Sequence, residues 1–196
     1  MNPEAGPASV GARRASPVQS RAVRRGITIG LGALLVALSA QVVVPVPFSP
    51  VPMTLQPLAV LAVGGLLGAV GGFSALVVYL ILGVLGLPVF APGGLPGALR
   101  LIGPTGGYLL AFPIAAGLTG ALAGRVPRSV LRVLLACALG MVIIHVGGVA
   151  QLALLGGDPA LAMRIGFVPF LTGDLLKVGL AAALILAAGP RVRSLL

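Results

Sequence analysis

Six long apolar runs organise the chain, at about 27–45, 54–70, 73–87, 107–124, 130–155 and 167–188. Each comes near the ~20 residues that a helix needs to cross a bilayer. None keeps the polar stripe of a helix lying against water, so each predicts a membrane-spanning helix. The connections are equally legible. Pro45, Pro47, Pro50 and Pro52 fall within eight residues; they remove backbone donors and bias their predecessors to extended conformations. That segment is a loop expected to dip onto the bundle. Gly71-Gly72 predicts a tight turn between the second and third runs, and Pro57 is tolerable in the first turn of its helix. An irregular stretch, 88–106, holds Pro92-Gly93-Gly94, Pro96-Gly97 and Gly103-Pro104-Thr105-Gly106. Residues 1–25, rich in Ala, Pro, Ser, Gly and Arg without apolar periodicity, predict a disordered basic tail. The division is therefore a 1–25 tail, a 26–190 transmembrane domain and a short 191–196 end.

Composition hardens this into a class. Of 196 residues 58% are hydrophobic and 8% charged, against about 25% charged in soluble domains, and the mean hydropathy is +1.15. No charged residue separates Arg25 from Arg100. The expected fold is an all-α integral membrane protein, a bundle of six transmembrane helices with no room for a sizeable soluble module. The net charge of +10 would suit a nucleic-acid partner, but its placement speaks for topology. Arg13, Arg14, Arg21, Arg24 and Arg25 precede the first run; Arg125, Arg128 and Arg132 share one connection; Arg191 and Arg193 close the chain. With six spans these ten share one side, against Arg100 and Arg164 on the other, which puts both termini in the cytoplasm. Ala37-Leu38-Ser39-Ala40 has the small residues of a signal-peptide cleavage site; the long basic leader and the continuing Val42-Val43-Val44 favour a retained helix.

Absences narrow the chemistry. The only lysine, Lys177, follows Leu176, so there is no Gly-Lys-Ser/Thr phosphate loop. One His, one Cys and three acids do not make a zinc site of ordinary composition, and nothing near His145 resembles a nucleophile elbow. Cys137 reads as a small buried hydrophobe. No enzyme activity, metal or cofactor is expected.

Asp174 and Lys177 stand out inside the sixth run. A charge at mid-bilayer costs about 2.5–3.5 kcal/mol on insertion scales and usually faces a cavity or partner. Three residues apart, the two share a helix face. They are either a self-satisfied ion pair or a polar binding site with a donor and an acceptor for an amide-like ligand. Gln56 is an amide for a ligand head or a solvated helix end. Tyr79 is a stacking and hydrogen-bonding group or a packing residue. Arg100 is a cation for a carboxylate or a solvated loop arginine. His145 suits a hydrogen bond to a neighbouring helix or a proton relay. Gly103, Thr105 and Gly107 form a loop that lets backbone approach whatever fills the outer cavity. Small residues Gly30, Ala33, Ala37 and Ala40 stripe the first run, and Gly64, Gly68 and Gly72 the second. Such faces serve internal packing or partner docking, with docking assigned to Ala33 and Ala37.

Several blocks together resemble the BioY family, the biotin-specific substrate-binding (S) components of energy-coupling factor (ECF) transporters. They are Val51-Pro52-Met53-Thr54-Leu55-Gln56; Tyr79 with Leu82-Gly83-Val84-Leu85-Gly86-Leu87-Pro88-Val89-Phe90; Gly103-Pro104-Thr105-Gly106-Gly107-Tyr108; and Pro169-Phe170-Leu171-Thr172-Gly173-Asp174-Leu175-Leu176-Lys177. The resemblance spans roughly residues 26–188. It implies an S-component fold with a biotin pocket near the outer face. Asp174 and Lys177 would bind the polar end of biotin, with Gln56, Tyr79 and the loop 103–107 lining the site and Arg100 a candidate for the carboxylate. It further implies docking of Ala33-xxx-Ala37 on a transmembrane coupling (T) protein that carries two ATPase subunits, in a bacterial cell membrane. His145 and Gln151 stand where the family pattern carries aromatic residues. The rival readings are an S component for another vitamin, such as thiamine or riboflavin, and a membrane scaffold without a ligand.

Overall fold

Proline suits the first turn of a helix, where its missing N–H has no intrahelical partner. In the computed structural model, which describes residues 17–124 and 129–194, the first helix α1 (Pro17–Ala40) starts on one. Residues 17–25 are thus helical, not the tail expected of them; residues 1–16, Arg125 and Arg128 lie outside the described residues. Then come β1 (Val43–Val44), β2 (Met53–Thr54), α2 (Gln56–Val84), α3 (Leu99–Ile102), α4 (Gly106–Leu122), α5 (Val130–Gly156), α6 (Pro159–Gly166), a 3-10 turn (Val168–Phe170) and α7 (Leu171–Ser194). The last helix therefore runs through most of the expected C-terminal end.

α2 is a hairpin. Gly68 has φ 79° and ψ 179°, a conformation essentially confined to glycine, and it reverses the chain between arms 56–67 and 69–84. A hydrogen bond of 2.6 Å joins Gln56 to Tyr79, 23 positions on, where an unbroken helix would hold them about 34 Å apart. The second and third runs are thus antiparallel arms, but the turn is Gly68 rather than Gly71-Gly72. Gly72 instead lies where the arms touch: a Cβ there would sit 2.7 Å from the Gly64 Cα. A turn needs one residue of unusual φ, whereas the neighbouring glycines are needed for close approach.

α2 packs against α1, α4 and α7, and α5 packs against α4, α6 and α7. The α4–α5 contact is backbone to backbone, since a Cβ at Gly147 would come within 2.6 Å of the Gly107 carbonyl oxygen. α1 turns Ala33, Val36, Ala37 and Ala40 inward, and its Gly32 faces Val63, Leu67 and Ala75 on both arms of α2. Ala33 and Ala37, expected as docking residues, are only 2% and 8% exposed. Within the chain their small side chains serve the internal packing of α1, whose outer face carries Leu31, Leu34, Leu35 and Leu38.

Large apolar side chains cover the outside of α4, α5 and α7 too, while Gln56, Arg100, Thr119, His145, Asp174 and Lys177 are buried. That is the reverse of a water-soluble domain and the arrangement of a membrane protein. Four helical stretches, Arg21–Ala40, Gln56–Val84, Val130–Gly156 and Pro159–Arg193, are long and apolar enough to cross a membrane; α4 is apolar but shorter. At the turn of α2, Arg193 donates from Nε to the Leu66 carbonyl at 3.3 Å and from its other nitrogens to Gly65 and Gly124. These are carbonyls at helix ends, where a cation is favoured by unsatisfied acceptors and by the helix dipole.

Candidate functional site

A cleft opens at the other end of the α2 hairpin. Three layers of chain build it. The proline loop does dip inward: β1 and β2 pair Val43 with Thr54 and Val44 with Met53, which draws Val51 and Pro52 into the wall. Ser49 anchors that loop, its hydroxyl meeting the Ile165 carbonyl at 2.8 Å. The irregular stretch 88–106 contributes Phe90, Ala91, Arg100 and Thr105, and the helices contribute Tyr108, Phe112, Ile144, His145, Asp174 and Lys177.

Asp174 lies in the first turn of α7, where the helix dipole favours an anion. Its Oδ1 accepts from Lys177 Nζ at 2.9 Å, and its Oδ2 lies 2.6 Å from His145 Nε2. Three buried polar groups on two helices thus meet at one carboxylate in an apolar setting, with aromatic rings of Tyr108, Phe167 and Phe170 around the imidazole, whose Nδ1 is buried without a partner among the described residues. Arg100 is different. One of its terminal nitrogens donates to the Ala91 carbonyl, its Nε is buried without a partner, and both ion pairs found among the described residues use Asp174. Burial lowers the pKa of its guanidinium from the usual value. A buried cation with no carboxylate beside it is a place for an anionic ligand group. Gly94 makes its seat, since any Cβ there would collide with the guanidinium.

The remaining expected residues divide into wall and support. Gln56 and Thr105 face the cleft. Tyr79 is fully buried one layer behind, where it meets Gln56 and packs edge-on against Phe90 at 5.5 Å; it is placed to orient Gln56, not to stack on a ligand. Gly103 and Gly107 are also behind the wall. The Gly103 carbonyl accepts from Gln151 at 2.6 Å, and Gly107 packs on Gly147. Gln151 also reaches the Leu101 carbonyl at 2.9 Å, so it holds the loop that carries Arg100. His145, Phe112 and Phe170 are wall residues that the sequence did not single out as such. For His145 a signal existed: it is the chain's single histidine and lies in an apolar run, where a polar group needs a partner.

A polar triad and an arginine with no carboxylate partner among the described residues, set in an apolar cleft of a membrane-embedded bundle, describe a ligand-binding site. Comparison with known proteins supplies its lineage. The family model described as the BioY family matches residues 12–194. The chain belongs to the BioY family. A protein of Pyrococcus horikoshii named "Probable biotin transporter BioY" is 39% identical over 160 residues, covering 81% of this chain and 93% of that one. "Biotin transporter BioY" of Thermotoga maritima is 38% identical over 164 residues, covering 84% and 95%. In shape the chain resembles the S-component for biotin from an ECF-type ABC transporter, known from a crystal structure, with a TM-score of 0.79 at 24% identity over 92% of this chain and 95% of that one. BioY membership agrees with the sequence blocks around Gln56, Tyr79, Gly103 and Asp174 that carry the resemblance.

Proposed function

We propose that this protein takes up biotin, as the membrane-embedded S component that captures the vitamin from outside and passes it inward with an energy-coupling module. The observation that carries this reading is the buried Asp174–Lys177 pair facing an apolar cleft in a chain of the BioY family. A cyclic urea carries N–H donors for the Asp174 carboxylate and a carbonyl acceptor for the Lys177 ammonium. Phe90, Phe112 and Ile144 offer apolar surface for the fused rings. Arg100, with no carboxylate partner among the described residues, would take the valeryl carboxylate. The protein is a binding and transport component, with no covalent step, metal or cofactor in its cycle.

In this reading six segments cross a bacterial inner membrane, the two arms of α2 counting as two, and both termini are cytoplasmic. The hairpin supports that orientation. Its turn meets Arg193, one of the arginines that the positive-inside rule places in the cytoplasm, and the cleft lies at the opposite, outward end. Energy would come from a T protein with two ATPase subunits.

Thermal unfolding of the purified chain in detergent, with biotin, thiamine or riboflavin, tests the ligand. Biotin is expected to raise Tm in a concentration-dependent manner and the others not. Stabilisation by another vitamin alone would transfer the reading to that ligand, and stabilisation by none would leave a scaffold.

A further inference from the structure

One ring of the cleft touches the central carboxylate but has no role in the ion pair within α7 or in the proposed contacts with biotin. It is the His145 imidazole, 7% exposed. Lys177 shares a helix with Asp174, so their contact fixes only the relation of neighbours three residues apart. His145 comes from α5 and is the side chain that reaches Asp174 from another helix. A carboxylate only accepts, so Nε2 carries the proton in this contact.

Two donors on two different oxygens fix the plane of a carboxylate. One donor leaves it free to turn about its last torsion, which is broad for aspartate. With Lys177 on Oδ1 and His145 on Oδ2, the plane is set, and each oxygen keeps a lone pair for an incoming N–H. The imidazole cannot easily swing away. The Phe167 ring stands edge-on at 4.9 Å and 83°, Tyr108 at 6.0 Å and 84°, and Phe170 lies at 6.2 Å. Tyr108 is itself fastened by its hydroxyl to the Gly166 carbonyl at 2.6 Å.

We propose that His145 is a positioning residue of the ligand site: it fixes the Asp174 carboxylate in the orientation that receives the ligand's N–H groups, so that recognition depends on the imidazole N–H rather than on a flat ring filling that place. This rests on the biotin reading of the same cleft. It makes α5 part of the recognition machinery and adds a selectivity: ligands that present N–H donors to Asp174 benefit from His145, and ligands held by apolar contact and Arg100 do not.

The test uses the full chain, without a histidine tag, in detergent. Biotin affinity by calorimetry is compared for wild type, His145→Phe and His145→Gln. Phe keeps a planar ring and Gln keeps a donor near the place of Nε2. Loss of a hydrogen bond to a charged group predicts that His145→Phe weakens binding about tenfold or more, and that His145→Gln recovers most of it. Equal affinity in all three, or equal loss in both variants, overturns the proposal while leaving biotin binding in place. A wild-type chain that does not bind biotin overturns the biotin reading, and the proposal with it. Because the chain has a single histidine, ¹⁵N-histidine spectra of the wild type report on residue 145 alone, even where a variant fails to fold. An Nε2–H tautomer whose resonances shift with biotin is expected; an Nδ1–H tautomer, or no response to bound biotin, overturns the proposal.

Discussion

Asp174 answers to two donors, and its removal has a larger consequence than loss of one contact. Asp174→Asn leaves the Lys177 ammonium buried without a counter-charge, and breaking a buried pair from one side costs about 3–5 kcal/mol. A fall in Tm in detergent is expected beside at least tenfold weaker biotin binding, measured on the same preparation. Arg100 calls for a ligand-side control. Arg100→Met should weaken biotin binding about tenfold or more, in line with a lost charged pair, but should leave the affinity for biotin methyl ester nearly unchanged; equal loss for both ligands would show that Arg100 does not hold the carboxylate. The value of these residues was readable because charge is so scarce in this chain. With Glu4 ahead of the first apolar run in sequence and Asp158 between two runs, Asp174 had no competitor as the intramembrane acid. The partner of His145 was not readable, since nothing in a sequence states which face of α5 meets which face of α7. Tyr79 shows the same limit from the other side: an aromatic hydroxyl in the right block is one layer too deep to touch a ligand.

Helices α4 and α5 match the runs that foretold them within a residue or two, and the ends of α5 carry clear signals. Ser129 caps α5 by accepting from the Arg132 N–H, and Gly157 ends it with φ 69°. The signals for α6 were also present. Gly157-Asp158-Pro159 joins a helix stop to an N-cap and a proline at N1, and the Asp158 carboxylate accepts from Ala160 and Leu161 at 2.9 and 3.0 Å. The short length of α6, 8 residues, hid it beside the longer apolar run. Choosing among the glycines of α2 was harder. Turn and contact both select glycine, and only the backbone angle separates Gly68 from Gly72. Gly68→Ala should therefore cost about 1–3 kcal/mol for a side chain in that region of φ and ψ, seen as a lower unfolding midpoint in detergent. Gly71→Ala has no positive φ and only presses its Cβ on the Leu67 Cβ at 2.9 Å, so it should cost less. The reverse order would place the turn where the glycine pair first suggested it.

The molecule as a whole is fastened at its two ends by different means. At the cleft end, loops are held by single side chains: Ser49 on Ile165, Gln151 on Leu101 and Gly103. At the other end Arg193 joins α7 to the hairpin of α2 and to the end of α4. Counting charges assigned Arg193 a topological duty, and its structural duty was invisible because the three carbonyls lie far off in sequence. Arg193→Ala should speed amide exchange around residues 65–70 and lower Tm while leaving biotin affinity within about twofold, as expected for separated sites. A large loss of affinity would mean that the two ends are coupled.

The seat of Arg100 carries a genetic consequence. Gly94 touches no ligand in the proposed site, yet every substitution there places a Cβ where the guanidinium rests. Cells selected to survive a toxic, carboxylate-bearing biotin mimic taken up through this protein should gain resistance by changes at residue 94 as well as at residue 100. The two codons form one mutational target, although only one of them encodes a side chain that could meet the ligand.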